Sequence, residues 1–350
     1  MRRLGVGAFL VSGGLVTALV AGTATSAHAD IDFGRGTQKG NLKSQKLGAS
    51  ASQKIHLSGD AGANTGGGGN LKVSGGNWAP PPCWYAPTYS PEQLKKKVAD
   101  SPYSLTGRAP DNGRKKQEVD ESIRHYYSSG EYKDFNIKKK GDGSFWAAVP
   151  NPDEKDAAKR ESCTDLPFWV PDGEQPDRPD ALSPEILAAL AYASIRVPDT
   201  KVELNPAQRQ TVNLPTWVWL DKGTYRPLSV TASADLGAGH TISATTTAKP
   251  DTLRLQPGTG NATLHPASGE CAVDGEGGIG TPYTKGRAKD IPPCGVTYQR
   301  ATEGNATYPL KATLTWKASW HGTGDAGSDL PSGEYGGEQD LTVQEVQSVN

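Results

Sequence analysis

Residues 308–320, Tyr-Pro-Leu-Lys-Ala-Thr-Leu-Thr-Trp-Lys-Ala-Ser-Trp, alternate between two chemistries. Leu310, Ala312, Leu314, Trp316, Ala318 and Trp320 share one side, and Lys311, Thr313, Thr315, Lys317 and Ser319 the other. A strand needs this pattern when one sheet face is buried and the other wet. Two tryptophans on the apolar side give it a large buried area. The stretch is therefore predicted to anchor a C-terminal β-sandwich.

The segments before it carry the same period. Val212, Leu214, Thr216, Val218 and Leu220 line one face of a strand, and Trp217 and Trp219 the opposite face, so this strand is predicted to be covered on both sides. Leu228, Val230, Ala232, Ala234 and Leu236 alternate with polar residues up to a turn at Gly237-Ala238-Gly239-His240, after which Ile242, Ala244 and Ala248 alternate with Ser and Thr. Later strands are predicted at 253–255, 296–300 and 341–349, and the Gly-rich stretches 275–280 and 322–337 read as long surface loops. About seven short strands predict an antiparallel, immunoglobulin-like sandwich over 199–350.

Residues 78–198 read differently, as a small α+β domain. Pro80-Pro81-Pro82 stiffens the entry, and Ser90-Pro91-Glu92-Gln93 starts a helix running to about Ala99. A second helix is predicted over 115–127, then a hairpin over 135–149 turning at Gly141-Asp142-Gly143. Trp146, Phe168 and Trp169 are expected to fill this domain's core. Ser183-Pro184 opens the best-marked helix, with Ile186, Leu187, Leu190 and Ala193 as its apolar stripe.

Residues 1–29 have the form of a secretion signal: Arg2-Arg3, an apolar run over 4–20, and small residues at Ala27-His28-Ala29. Residues 30–77 are rich in Gly, Ser and Lys with one aromatic, Phe33, and are predicted to be disordered. Four cysteines in an exported chain imply two disulfides with three possible pairings. Cys83–Cys163 and Cys271–Cys294 are favoured because each pair lies within one predicted domain. The shorter loop would gain roughly 3 kcal/mol on the chain-entropy model. Lys and Arg number 37 against 38 Asp and Glu, so no global field draws the chain to nucleic acid or a membrane surface. No apolar run after the signal reaches the ~20 residues that span a bilayer.

The C-terminal third resembles the polycystic-kidney-disease (PKD) type of immunoglobulin-like domain. The resemblance is carried by Cys294-Gly295-Val296-Thr297-Tyr298 and Tyr308-Pro309-Leu310-Lys311-Ala312-Thr313-Leu314-Thr315-Trp316. Residues 200–350 are more closely similar to a family of exported actinobacterial proteins of unknown function. Its landmarks here are Pro215-Thr216-Trp217-Val218-Trp219, Gly280-Thr281-Pro282-Tyr283, Cys294-Gly295 and the Trp316/Trp320 strand. The PKD Trp-x-Phe-Gly-Asp-Gly turn is missing, with Leu253-Arg254-Leu255-Gln256-Pro257-Gly258 in the comparable region. The resemblance implies fold and export, and it brings no catalytic residues, cofactor or metal.

The chain's own motifs add no reaction. Gly275-Glu276-Gly277-Gly278-Ile279-Gly280 matches a dinucleotide fingerprint as a string, but it lies between two cysteines in a β-rich region with no helix pattern after it. His56, His125, His240, His265 and His321 are scattered, although His265 and His321 could join Asp325 or Asp329. Asp142, Asp274 and Asp325 sit in Gly-rich loops without the spacing of a calcium loop. The sequence therefore predicts an exported, non-catalytic binding or structural protein, secreted or wall-associated, whose partner is a cell-wall polymer or another exported protein. Trp217, Trp219, Trp316 and Trp320 are expected to fill the sandwich core and its contact with the N-terminal region, and in the second reading Trp217 and Trp219 are a candidate aromatic platform. The alternatives are a hydrolase using Glu118, Asp120 or Glu121 of the N-terminal domain, and a subunit of an exported assembly.

Overall fold

The computed structural model describes residues 45–48, 54–61, 68–76, 78–105 and 113–346. The predicted signal over 1–29, and the parts of the 30–77 segment not named here, lie outside the described residues.

The first strands in chain order are β1 (Gln45–Gly48), β2 (Lys54–Gly59), β3 (Gly69–Asn70), β4 (Lys72–Val73), β5 (Cys83–Tyr89), β6 (Gly143–Pro150) and β7 (Phe168–Pro171). Short strands follow at β8 (Arg196–Val197), β9 (Glu203–Asn205), β10 (Arg209–Thr211) and β11 (Pro215–Trp219). The remainder are β12 (Leu228–Asp235), β13 (Thr241–Gln256), β14 (Ala262–His265), β15 (Glu270–Ala272), β16 (Gly295–Tyr298), β17 (Tyr308–Gly322) and β18 (Gly327–Gln344). The helices are α1 (Pro91–Asp100), α2 (Gly113–Ser128), α3 (Ala157–Arg160) and α4 (Pro184–Ala193). The protein is mainly β, and its sheets are mostly antiparallel.

β17 is the strand its alternation predicts. Leu310, Ala312, Leu314, Trp316, Ala318 and Trp320 are all buried. It lies between β13 and β18 in a large sheet ordered β1-β2-β12-β13-β17-β18-β10, with β15 added to β13 and β4 to β18. A second sheet, β14-β16-β11-β9, contributes Val296, Val218 and Leu204 to the same apolar core. α4 enters that core against β12, β13 and β17. Every residue of α4 from Ile186 to Tyr192 is buried, beyond the predicted stripe, as expected of a helix apolar on all sides. The buried Thr246 hydroxyl donates to the Ala188 carbonyl at 2.8 Å and ties strand to helix.

The three long strands bend together. β13 gains one residue over β17 between Pro250 and Thr252, and the β17–β18 register slips between Trp316 and Ala318. Pro250 has no N–H for the ladder, and a bulge is where a strand tolerates that loss. The extra residue, Asp251, pairs with Lys317 at 2.8 Å across the bend.

β5, β6 and β7 form a separate three-stranded sheet between two cores. Trp146 and Phe168 face the main core, whereas Phe145 joins Leu94, Val98, Ile123, Tyr127 and Phe135 in a smaller cluster under α1 and α2. Trp169 is half-buried against that cluster. The main core thus crosses the boundary expected between residues 198 and 199. α1 carries the capping box read from sequence: Gln93 N–H donates to Ser90 Oγ at 3.3 Å, and Ser90 N–H to Gln93 Oε1 at 2.8 Å. Both favoured disulfides are present, Cys83–Cys163 and Cys271–Cys294. Among the described residues no helix is long and apolar enough to cross a membrane.

Three expectations are corrected. The segment 30–77 is not disordered throughout: β2 pairs with β12, burying Ile55 and Leu57, and Leu71 is buried beside β4. Two apolar side chains suffice for β2 because an existing sheet edge, β12, receives the strand. The hairpin over 135–149 does not form. β6 pairs with β5 and β7 instead, and Asp134, Phe135 and Asn136 take left-handed conformations at φ 45°, 57° and 55°. Lys138-Lys139-Lys140 has no apolar partner for a hairpin, while the tight turn sets the Phe135 ring 6.1 Å from that of Tyr127. Stretch 322–337 is mostly strand, not loop. Its glycines admit close neighbours: a Cβ at Gly337 would lie 2.3 Å from the Thr200 carbonyl oxygen, and one at Gly333 2.7 Å from the Tyr192 hydroxyl.

Leu57 is 1% exposed. Leu57→Ala should therefore lower the unfolding free energy by about 2–5 kcal/mol in urea denaturation of the mature chain. Unchanged stability would mean that β2 is dispensable to the fold.

Candidate functional site

The outer face of the large sheet carries the polar half of each alternating strand. Toward the β15 end this face is concave, with a trough crossing β13, β17 and β18. Its two connected parts measure about 200 and 500 Å³ and share Lys311, Thr313 and Glu334. Strand register sets the side chains in rows. Thr252, Thr315 and Glu334 form one row, Arg254, Thr313 and Gly336 the next, and Gln256, Lys311 and Glu338 the third. Gly336 keeps the middle row low, since a Cβ there would lie 3.0 Å from Thr313 Oγ1.

The trough walls are charged in both signs. Arg254 pairs with Glu270 at 2.8 Å on one side. On the other, Ser74 Oγ donates to Glu334 and holds it beside Lys72. Arg254, Lys311 and Lys72 are thus set against Glu270, Glu334 and Glu338. Hydroxyls, an amide and balanced ion pairs can donate and accept along the full width of three strands. The sequence pattern identified Lys311, Thr313 and Thr315 only as a wet face. Their joining with Arg254 and Glu334 depends on the β13–β17–β18 register.

Trp217 and Trp219 point away from the core, as the alternation on β11 requires, because Thr216 and Val218 are buried on its other face. They do not form an open platform. Trp217 is 1% exposed and Trp219 half-buried. The irregular segment 281–293 covers Trp217, with the Tyr283 ring edge-on at 5.9 Å and the Arg287 guanidinium 5.1 Å from the ring centre. Strand β11 is covered on both sides.

The remaining candidates are not brought together. Gly275–Gly280 contains a tight turn in which Asp274 N–H donates to the Gly278 carbonyl at 2.7 Å, and no helix follows it. N–H groups of Gly278 and Glu276 donate to the Asp274 carboxylate and hold its pKa below the usual range. His265 sits on the second sheet with Nε2 2.9 Å from Thr297 Oγ1, while His321 lies at the far end of β17 opposite Gly327. His125 bonds Ser129 on α2, and exposed His240 packs on Gly173. Among the described residues no three His, Cys, Asp or Glu are grouped to hold a metal. Asp120 accepts from Tyr103 N–H at 3.1 Å and Glu121 from Gln117 at 3.0 Å, while Glu118 is exposed on the same helix.

Burial lowers the His265 pKa. Asp172 is shifted upward, by burial first and then by the carboxylates of Asp235 and Asp142. It lies beside the 237–240 turn, where a Cβ on Gly237 would meet its carboxylate at 2.2 Å. Comparisons with family models, curated proteins and solved structures found no match to this chain.

The Asp172 shift has a testable sign. A carboxyl whose folded pKa is raised contributes stability below its unfolded value of about 4, and that contribution is lost as pH rises through the folded pKa. Asp172→Asn should therefore raise the thermal midpoint at pH 7 and give no gain at pH 3. A scan of Tm against pH checks this.

Proposed function

We propose that the protein is an exported, non-catalytic binding protein that holds a hydroxyl-rich polymer, a polysaccharide, in the trough across β13, β17 and β18. The observation that carries this reading is the lining: three cations against three anions around a threonine floor. Such a surface offers many directional hydrogen bonds and little net field, which suits a neutral polymer better than a polyanion. The trough is open along the sheet, so an extended chain can cross it without its ends being enclosed.

Two sheets feeding one core, with α4 completing the cover, favour an immunoglobulin-like sandwich of the PKD type. The helices gathered on β5, β6 and β7 favour a small α+β unit attached to it. Two disulfides and the signal-like start of the sequence favour a secreted or wall-associated site of action.

Co-sedimentation of the mature protein with insoluble polysaccharides and with washed cell envelopes tests the reading. Saturable pelleting is expected, with apparent affinity reduced roughly 100-fold or more in Arg254→Ala/Lys311→Ala, since hydrogen bonds to charged groups contribute about 1.5–3 kcal/mol each. A Thr313→Trp variant should block the trough floor and give the same loss. Pelleting that survives both changes in folded variants would refute the trough as the site.

A further inference from the structure

We infer that Trp217 and Trp219 form a second saccharide-binding site, closed in this structure by segment 281–293. The inference takes its ligand class from the polysaccharide reading, but its site lies on the second sheet.

Three observations carry it. Trp217 is buried without belonging to either apolar core, and Tyr283 and Arg287 of the loop lie against its ring. The loop is a thin cover. Within 281–293 only Pro292 is buried and Tyr283 half-buried, and the other residues are exposed. Among the described residues, every hydrogen bond and ion pair made by 281–293 stays inside the segment. Arg287 N–H donates to the Thr284 carbonyl, Asp290 N–H to the Arg287 carbonyl, and Arg287 pairs with Asp290 at 2.8 Å. The segment can therefore lift from the tryptophans without breaking a hydrogen bond to the rest of the protein. Its ends are fixed, by the Cys271–Cys294 bridge and by Leu220 N–H donating to the Ile279 carbonyl at 3.0 Å.

The third observation is the indole N–H of Trp217, buried without an acceptor; of the four such groups among the described residues, the others being Trp84 Nε1, Trp316 Nε1 and the Tyr192 hydroxyl, it alone lies outside the apolar cores. Buried donors are normally paired, so an unpaired one marks a place that a guest can complete. A sugar ring suits what is there. Its C–H face stacks on an indole, and its rim hydroxyls accept from the N–H. The electron-rich ring face is already occupied by a cation, the Arg287 guanidinium paired with Asp290, which such a ring would displace. Trp217 and Trp219 are two residues apart on one strand face, roughly 6.4–6.8 Å, so successive sugar units of one chain could each meet an indole.

Titration of the mature protein with soluble β-1,4-linked glucose and N-acetylglucosamine hexamers, read by tryptophan fluorescence and calorimetry, tests the site. Tyr283→Ala/Arg287→Ala should open it. Binding by this variant should tighten roughly ten-fold, because the closed state no longer competes. Trp219→Ala in the opened background should abolish the gain, and Arg254→Ala/Lys311→Ala should leave it intact. Trp219 is half-buried, so this change avoids the folding risk of replacing Trp217. Opened protein that is folded by circular dichroism yet binds neither hexamer more tightly than the parent overturns the inference. So does a gain that persists without Trp219 or vanishes with the trough variant. A parent that fails to bind either hexamer while the opened variant binds would support this site, the trough being judged by the co-sedimentation test.

Discussion

The buried face of β17 is the constraint on which the other elements depend. Six apolar side chains from Leu310 to Trp320 run along a strand of 15 residues, roughly 50 Å of chain. The strands of the second sheet have only three to five residues each and cannot cover that length. α4 fills the remainder, and its all-round apolar surface makes it a cover of the same kind. The change of cover comes with a bend, because sheet and helix do not pack at one depth. The paired register slips at Pro250/Thr252 and Trp316/Ala318 supply it, and the Asp251–Lys317 pair closes its wet side.

What the sequence made legible follows from how local the causes are. The alternation of β12, β13 and β17 is written in consecutive residues, and so are the Ser90 and Ser183 caps. The disulfides were legible once domains had been drawn. β18 was not, because its glycines answer to neighbours distant in sequence: Thr200 at Gly337 and Tyr192 at Gly333. Glycine-rich composition argues for a loop only when nothing crowds the backbone. β2 escaped for the converse reason. Ile55 and Leu57 are too few to support a free segment but enough for a strand added to an existing edge, where Gly59 lets the chain approach the Ser229 carbonyl.

The candidate sites divide in the same way. Sequence placed Trp217 and Trp219 on the face of β11 opposite Thr216 and Val218, with both faces covered, and the structure has that arrangement. Sequence carried no signal for which segment is the cover, since the residues of 281–293 are those of any exposed loop. The trough was less visible still. Threonine and lysine on the wet side of a strand are ordinary choices of β-propensity and solubility. They become a lining only when register sets Arg254, Thr313 and Gly336 in one row and leaves that row without a side chain at its β18 end.

The two surfaces are unlike in the affinity each can supply. The trough has no tryptophan in its lining, so each contact there exchanges a bond to water for one to ligand at small net gain. The polymer proposed to lie there would be held through the number of contacts along the groove. The indoles of β11 offer the opposite: large apolar area in a small space, with affinity concentrated in a few side chains. Exposed to water, two adjacent tryptophans would also be a patch for indiscriminate association. A loop that rests on Trp217 through ring contacts, with no hydrogen bond to the body among the described residues, hides part of that patch at little cost to opening. The cation over Trp217 fits this arrangement, since Arg287 is exposed and returns to solvent without leaving a buried charge behind.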